Sequence, residues 1–361
     1  MAFGIWHLAF GIWHSYSGEV PRRIDYRRAA ILVWTACCAL PRLLVAETSE
    51  TAGSAGVPVV VALVGAPGEE EFGRNFVQWA GLWENAAAKS GARFVAIGLT
   101  TNLAVSDREQ VRDLLASQLT NNASEVWLVM LGHGTFDGKE ARFNLRGPDF
   151  TATEFSEWLK PLTKPLAVID ASSSSGPFLN KLSASGRVII TATRSGHEAN
   201  YARFGQHLSE SIGDLGADLD KDGQTSLLEA FLMASRNVLE FYKAEGRLAT
   251  EHPLLDDNGD GLGTPPDWFR GVRAIKAAKN GAPLDGFRAH QFHLLRNDED
   301  KRLPPELKAR RDSLELSIAK LRETKKDMTE DAYYGKLEEL LLELARIYEK
   351  AGAQPQPPQQ P

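Results

Sequence analysis

Two short segments carry side chains whose types and spacing suit catalysis: Leu131-Gly132-His133-Gly134 and Asp170-Ala171-Ser172-Ser173-Ser174-Ser175-Gly176. Each follows a continuous apolar run, 125–131 (EVWLVML) and 166–169, of the kind that forms a buried strand. In an open parallel sheet, ligands bind at the carboxyl ends of the strands. A histidine thrown out between glycines after one strand, with a loop of small nucleophiles after the next, is the pattern of a two-residue hydrolytic site. Each fragment alone has a plainer reading, as a turn after a strand and as a flexible serine-rich loop. Their order and their placement at successive strand ends favour the functional one. Asp170 is a candidate to orient His133, or else a strand-end cap. Tyr201, Arg203 and His207 fall on a predicted helix and read as packing or surface residues.

A second chemistry is acidic. Asp218, Asp220, Asp222, Gly223, Gln224, Ser226 and Glu229 match the twelve-residue EF-hand loop. Oxygen ligands fall at loop positions 1, 3, 5, 9 and 12, a backbone carbonyl at 7, and glycine at 6. Helix-compatible sequence flanks the loop at 205–212 and 227–242. A second run, 256–267, repeats the start of such a loop with Asp256, Asn258 and Asp260, and places Asp267 at the twelfth position. Pro265 and Pro266 preclude a normal exiting helix there. Calcium is therefore the expected cofactor, in a structural role that fixes the segment after the sheet. The plainer alternative is an Asp/Gly-rich turn.

The elements that must position these residues alternate in type. Apolar runs at Val57–Val64, Arg93–Ile97, 125–131, 166–169 and 187–193 read as strands, and 71–87 reads as a helix. Ser106-x-x-Glu109 and Thr151-x-x-Glu154 are capping boxes that open further helices. Continuous apolar strands separated by helices predict an α/β fold, with a mostly parallel sheet covered by helices on both faces. Asp137-Gly138 sits between two alternating runs and predicts a hairpin after His133. Trp79, Trp83, Trp127, Trp158 and Trp268 are dispersed and read as core. Beyond residue 303, Leu314, Ile318 and Leu321 share one helical face, as do Leu337, Leu340, Leu341, Leu344 and Tyr348. Residues 303–350 therefore predict an antiparallel helical hairpin, for packing or oligomerisation, broken near 325–329. The tail 354–361 (QPQPPQQP) is expected to be disordered.

At the strand–His–Gly element and the strand ending in Asp-Ala with a loop closing in Ser-Gly, the chain resembles the caspase, legumain and metacaspase superfamily of cysteine peptidases. The resemblance covers roughly residues 57–245. It implies that His133 is the catalytic base and that the nucleophile position is Ser173, or Ser172 if the match is anchored on Asp170-Ala171. It implies oxyanion donors at the backbone N–H groups of Gly134 and Ser173, and a specificity-pocket wall at 191–196 (TATRSG). This chain departs from the pattern where the thiol should stand. A thiol with a pKa of about 8.5 ionises readily beside histidine. A serine hydroxyl is a far weaker acid and needs a well-aligned base, usually oriented by a third group. The leading expectation is a catalytically inactive peptidase homologue that binds peptides or a protein partner. The alternatives are a serine-dependent hydrolase and a structural envelope protein.

Cys37 and Cys38 are the only cysteines in 361 residues, and both lie in the apolar run 29–40. Arg22, Arg23, Arg27 and Arg28 precede it, and Ala46 ends a plausible cut site, as in a secretory leader. The run is shorter than the roughly 20 residues of a membrane span. Pro41 and Arg42 cut it short against the alternative of a single-span anchor. Residues 1–46 are thus read as a leader, with translation starting nearer Val20 than the tandem AFGIWHL-AFGIWHS repeat, and 47–56 as a linker. Export would leave a chain without disulfides and without a membrane span. Removing residues 1–46, which hold five arginines and two acidic side chains, takes the formal net charge from −6 to −9. That balance argues against nucleic acid as a partner, since phosphate binding needs a basic face.

Overall fold

The computed structural model describes residues 56–100, 104–118, 123–279 and 281–352. The expected leader, nearly all of the expected linker and the tail from residue 353 lie outside the described residues. From the amino end, strand β1 (Val57–Val64) leads to helix α1 (Glu70–Ser90), which Gly91 ends in a left-handed conformation. Strand β2 (Arg93–Ile97) follows, then α2 (Asp107–Asp113), which begins at the Ser106–Glu109 capping box and continues into a π-turn over Leu114–Gln118. After β3 (Ala123–Leu131) come three short strands, β4 (Gly134–Phe136), β5 (Ala141–Phe143) and β6 (Phe150–Thr151). They pair antiparallel as a small sheet, with Asp137-Gly138 at the first turn as predicted. Helix α3 (Ala152–Leu159) starts at the Thr151–Glu154 capping box. The chain goes on through β7 (Leu166–Asp170), α4 (Gly176–Leu182), β8 (Arg187–Thr191), α5 (Phe204–Ser211) and α6 (Leu227–Ala244).

Among the described residues, the central sheet has the order β2-β1-β3-β7-β8-β9. Its first five strands are parallel, and β9 (Leu254–Asp256) adds an antiparallel edge against β8. The expected α/β architecture is thus borne out, although no strand was expected at β9. Only three residues long, β9 runs into the acidic loop at Asp256. Strand 187–193 also ends two residues early, because Thr193 leaves the ladder to bond the serine loop.

Alternate residues of the buried strands serve different cores. Val60, Ala62, Val64, Trp127, Val129 and Ile169 face α1, α5 and α6, where Phe76, Trp79, Trp83, Phe204 and Phe231 pack. Val59, Val61, Leu63, Leu128, Met130 and Val168 face α2, α3 and α4, together with Phe143 and Phe150 of the small sheet. The dispersed tryptophans divide. Trp79, Trp83 and Trp127 are buried, whereas Trp158 and Trp268 are half-exposed.

After β9, the chain makes a minor pair of strands, β10 (Phe269–Arg270) and β11 (Arg273–Ala274), and short helices α7 (Phe287–Gln291) and α8 (Asp298–Arg302). Helices α9 (Pro305–Glu323) and α10 (Glu330–Gly352) form the predicted hairpin, turning through Lys325–Asp327. Its own core holds Leu314, Ile318, Leu321, Leu337 and Leu344, joined by Tyr333 and Ile347. Tyr348 is 41 % exposed and departs from the expected face. Among the described residues, no helix is long and apolar enough to cross a membrane.

Candidate functional site

Strand β1 is flanked by β2 on one side and β3 on the other, so successive connections leave it in opposite directions. The crevice at the carboxyl ends of β1 and β3 is therefore a topological switch point, the usual ligand site of such sheets. His133 follows β3 into that crevice. Its neighbours allow a close approach: a Cβ on Gly132 would lie 2.9 Å from the Phe143 ring, and one on Gly134 would lie 2.2 Å from the Ser173 carbonyl oxygen.

The third group of the base is a backbone carbonyl. His133 Nε2 lies 3.2 Å from the carbonyl oxygen of Pro67, in the turn after β1. A carbonyl only accepts, so this contact places the proton on Nε2 and the lone pair on Nδ1. Phe72 and Phe76 present edge-on rings with centroids 5.2 Å from the imidazole, and the Tyr201 ring lies at 6.1 Å. Burial lowers the His133 pKa, partly offset by Pro67 and the Glu69 charge, which keeps the ring neutral near pH 7. Tyr201, read from sequence as a packing residue, does pack, but against the candidate base. Neither it nor Pro67 carried a sequence signal, since a carbonyl's direction is not written in its side chain.

Of the two readings left open for Asp170, its carboxylate follows the one that turns back on the loop at the strand end, toward Ser172. Its Oδ1 accepts the backbone N–H of Ser172 at 3.0 Å and the Ser172 hydroxyl at 2.6 Å. Its Oδ2 is buried without a hydrogen-bond partner. Complete burial raises the carboxyl pKa to about 7 against the lowering effect of Ser172.

The four serines have four different environments. Ser172 bonds Asp170. The Ser173 hydroxyl donates to the Gly134 carbonyl and accepts the Gly134 N–H, both at 3.1 Å. The N–H expected to serve as an oxyanion donor is therefore already engaged by the expected nucleophile. Ser175 shares a hydroxyl contact of 3.1 Å with Thr193 and accepts the Thr193 N–H. Ser174 differs: its φ is +55°, and its buried hydroxyl has no hydrogen-bond partner. A non-glycine residue in that region carries strain of order 1–3 kcal/mol, and such strain clusters at functional sites. Sequence reasoning passed over Ser174 because a run of identical residues does not distinguish its members. The hydroxyls of Ser172 and Ser173 are thus bonded to Asp170 and Gly134, and neither is hydrogen-bonded to His133.

The segment 191–196 borders this loop. Thr193 Oγ1 accepts the N–H of Gly176, and a Cβ on Gly176 would lie 2.5 Å from the Arg194 backbone. Just beyond, the Glu198 carbonyl accepts the Ser174 N–H at 2.8 Å. The Glu198 carboxylate meets His252 Nδ1 at 2.7 Å and Arg194 Nε at 3.1 Å. This carboxylate–imidazole pair at the same sheet edge was also missed, because its members are 54 residues apart in sequence.

The two acidic loops use one framework. Asp218 accepts the N–H groups of Lys221 and Gly223, and Asp256 accepts those of Gly259 and Gly261. Asp220 and Asn258 each accept an N–H two residues on, as do Asp222 and Asp260. Gly223 and Gly261 both have positive φ, at +86° and +76°. Ser226 and Glu229 form the capping box of α6. The Gln224 side chain turns toward Asp222 and Asn297, leaving the backbone carbonyl for loop position 7. Asp267 falls in the single turn Pro266–Trp268, so no helix leaves the second loop. The entering helix of the first loop also stops early, at Ser211, and the turn Leu215–Ala217 leads into Asp218.

These donors fit a hard, oxygen-seeking cation such as calcium. Oxygens of Asp218, Asp220 and Asp222 lie within 4.8 Å of one another. Burial raises the Asp222 pKa to about 6, with the Asp220 and Glu229 charges adding to the rise. Asp260 Oδ2 in the second loop is buried without a partner.

No protein-family profile and no curated protein matches this sequence. Among solved structures, the chain is similar to the Drosophila initiator caspase Dronc, with a TM-score of 0.38 and 12 % identity over 55 % of this chain and 79 % of that one. It is similar also to caspase-1 from Spodoptera frugiperda, with a TM-score of 0.37 and 12 % identity over 56 % of this chain and 86 % of that one. The scores describe a likeness in fold and carry no statement about chemistry.

Proposed function

We propose that this chain is an exported, calcium-stabilised peptide- or protein-binding module, built on a peptidase-like α/β scaffold and without turnover. The observation that carries this reading is the engagement of Ser173 on both sides of Gly134. A peptide carbonyl seeking the Gly134 N–H has to displace that hydroxyl. With Ser172 held by Asp170, neither serine expected from sequence stands ready for His133. The crevice keeps what recognition requires, namely an aromatic wall of the half-buried Phe72 and Tyr201, backed by the buried Phe76. The two acidic loops supply the calcium sites, and the leader in the sequence supports export.

The test is labelling of calcium-loaded protein with a fluorophosphonate, beside binding of a fluorescent peptide library. Retained peptides without covalent label or cleavage are the expected result. Label that disappears in Ser172→Ala or Ser173→Ala would overturn the inactive reading.

One observation favours a second reading, a serine-dependent hydrolase: the strained φ and unpartnered hydroxyl of Ser174. Label lost only in Ser174→Ala would select it, with His133 as the base through Nδ1.

A further inference from the structure

His290 lies outside the twelve residues of the first acidic loop, on α7. Its Nε2 nonetheless reaches to 3.0 Å from Asp220 Oδ2. One ligand atom each from Asp220, Glu229 and His290 lies within 4.8 Å of the other two. Asp220 also belongs to the all-oxygen group it forms with Asp218 and Asp222. The two groups differ in the metals they suit. Calcium takes oxygen ligands in sets of six to eight. An imidazole beside two carboxylates is a donor set for zinc and its neighbours, which accept mixed nitrogen and oxygen ligands at low coordination number.

A second observation points the same way. His293, two residues past the end of α7, is only 7 % exposed. Its Nδ1 lies 3.3 Å from the Gln291 carbonyl, and its Nε2 is buried with no hydrogen-bond partner. A carbonyl at Nδ1 places the proton there and leaves a lone pair on Nε2. That is the tautomer and the carbonyl backing found behind metal-binding imidazoles. The His293 and His290 ring centroids are 6.3 Å apart.

We propose that Asp220, Glu229 and His290 form a site for a divalent transition metal of the zinc class, with His293 as a neighbouring second nitrogen donor. The metal ties α7 to the acidic loop. The site shares Asp220 and Glu229 with the calcium site proposed above and differs from it by the imidazole, so the variants must separate the two.

The experiment titrates EDTA-stripped full-length protein with zinc chloride and, separately, with calcium chloride, by calorimetry. The expected result is that His290→Gln weakens zinc binding by at least about tenfold and leaves calcium unchanged. Glutamine retains a donor for Asp220, which preserves the local hydrogen bond. Asp222→Asn is expected to do the reverse, weakening calcium and sparing zinc. Calcium binding that is absent throughout, with zinc still dependent on His290, overturns the calcium reading alone. Zinc binding that is absent, or indifferent to His290→Gln, overturns this proposal. So does a variant that loses calcium only, which would make His290 a brace for Asp220. Proton NMR of cobalt-loaded wild-type protein needs no variant. A paramagnetically shifted, exchangeable imidazole N–H is expected, and its absence from a cobalt-bound sample counts against the site.

Discussion

The loop after β7 holds a carboxyl group in an environment that opposes its charge. The Asp170 carboxyl is fully buried, has only Ser172 as hydrogen-bond partner, and has a pKa raised to about 7. A folded-state pKa above the unfolded value of about 3.9 means that folding stabilises the protonated form. The corresponding stability is present below pH 4 and is lost as pH rises through 7, at about 1.4 kcal/mol per pH unit once the folded group still holds its proton and the unfolded one does not. Asp170→Asn is expected to match the wild type in urea melts at low pH and to exceed it by a few kcal/mol near pH 8; parallel profiles would contradict this. Gly134 makes the opposite kind of claim, steric instead of electrostatic. A Cβ there would sit 2.2 Å from the Ser173 carbonyl oxygen, so Gly134→Ala is expected to cost about 1–3 kcal/mol through a backbone shift. Displacing the serine loop should also weaken peptide binding, and a thermal melt with a peptide titration measures both.

Elements were more legible than the contacts between them. The strands and the capping boxes at Ser106 and Thr151 follow from apolar runs and local hydrogen-bonding chemistry, which a sequence states directly. The His133 and serine segments emerged at neighbouring strand ends for the same reason. What escaped was set by backbone direction and distant pairing: the Pro67 carbonyl behind His133, the φ of Ser174, the short strand β9, and the meeting of Glu198 with His252. The twin acidic loops were legible as ligand spacing, and their common hydrogen-bond framework sharpens the expectation. If both bind calcium, EDTA should lower the melting temperature and excess calcium should restore it. A ligand at one hundred times its Kd stabilises by about 2.7 kcal/mol. Asp218→Ala and Asp256→Ala should each remove one binding event from a calcium titration. A chain that melts identically with EDTA and with calcium would remove the metal from the account.

At the scale of the molecule, the helical hairpin is fastened to the α/β domain by charge more than by its own apolar core. Arg296 reaches Glu125, beside the start of the buried run of β3, at 2.7 Å, and also approaches Asp300. Asp300, only 3 % exposed in its side chain, accepts Arg311 and lies 3.4 Å from Lys308, both on α9. Burial alone would raise the Asp300 pKa, but the charges of Arg311 and Lys308 outweigh it and hold the carboxyl below its usual range. The sign is therefore opposite to that of Asp170. Stability from Asp300 is present above the unfolded pKa and is lost as pH falls through the lower folded value. Removing one partner of a buried charge cluster typically costs about 3–5 kcal/mol, because the remaining charges lose their compensation. Asp300→Ala is expected to fall in that range near pH 7, with the difference from wild type shrinking as pH falls below the usual carboxylate range. It should also detach α9 and α10 before the sheet unfolds, since their mutual core around Leu314, Ile318 and Leu337 does not depend on Asp300. Hydrogen exchange at pH 7 reads this directly: earlier exchange across α8 and the first turns of α9, with β1 and β3 still protected, is the expected pattern. Uniform loss of protection would instead mean that the hairpin and the sheet unfold as one unit.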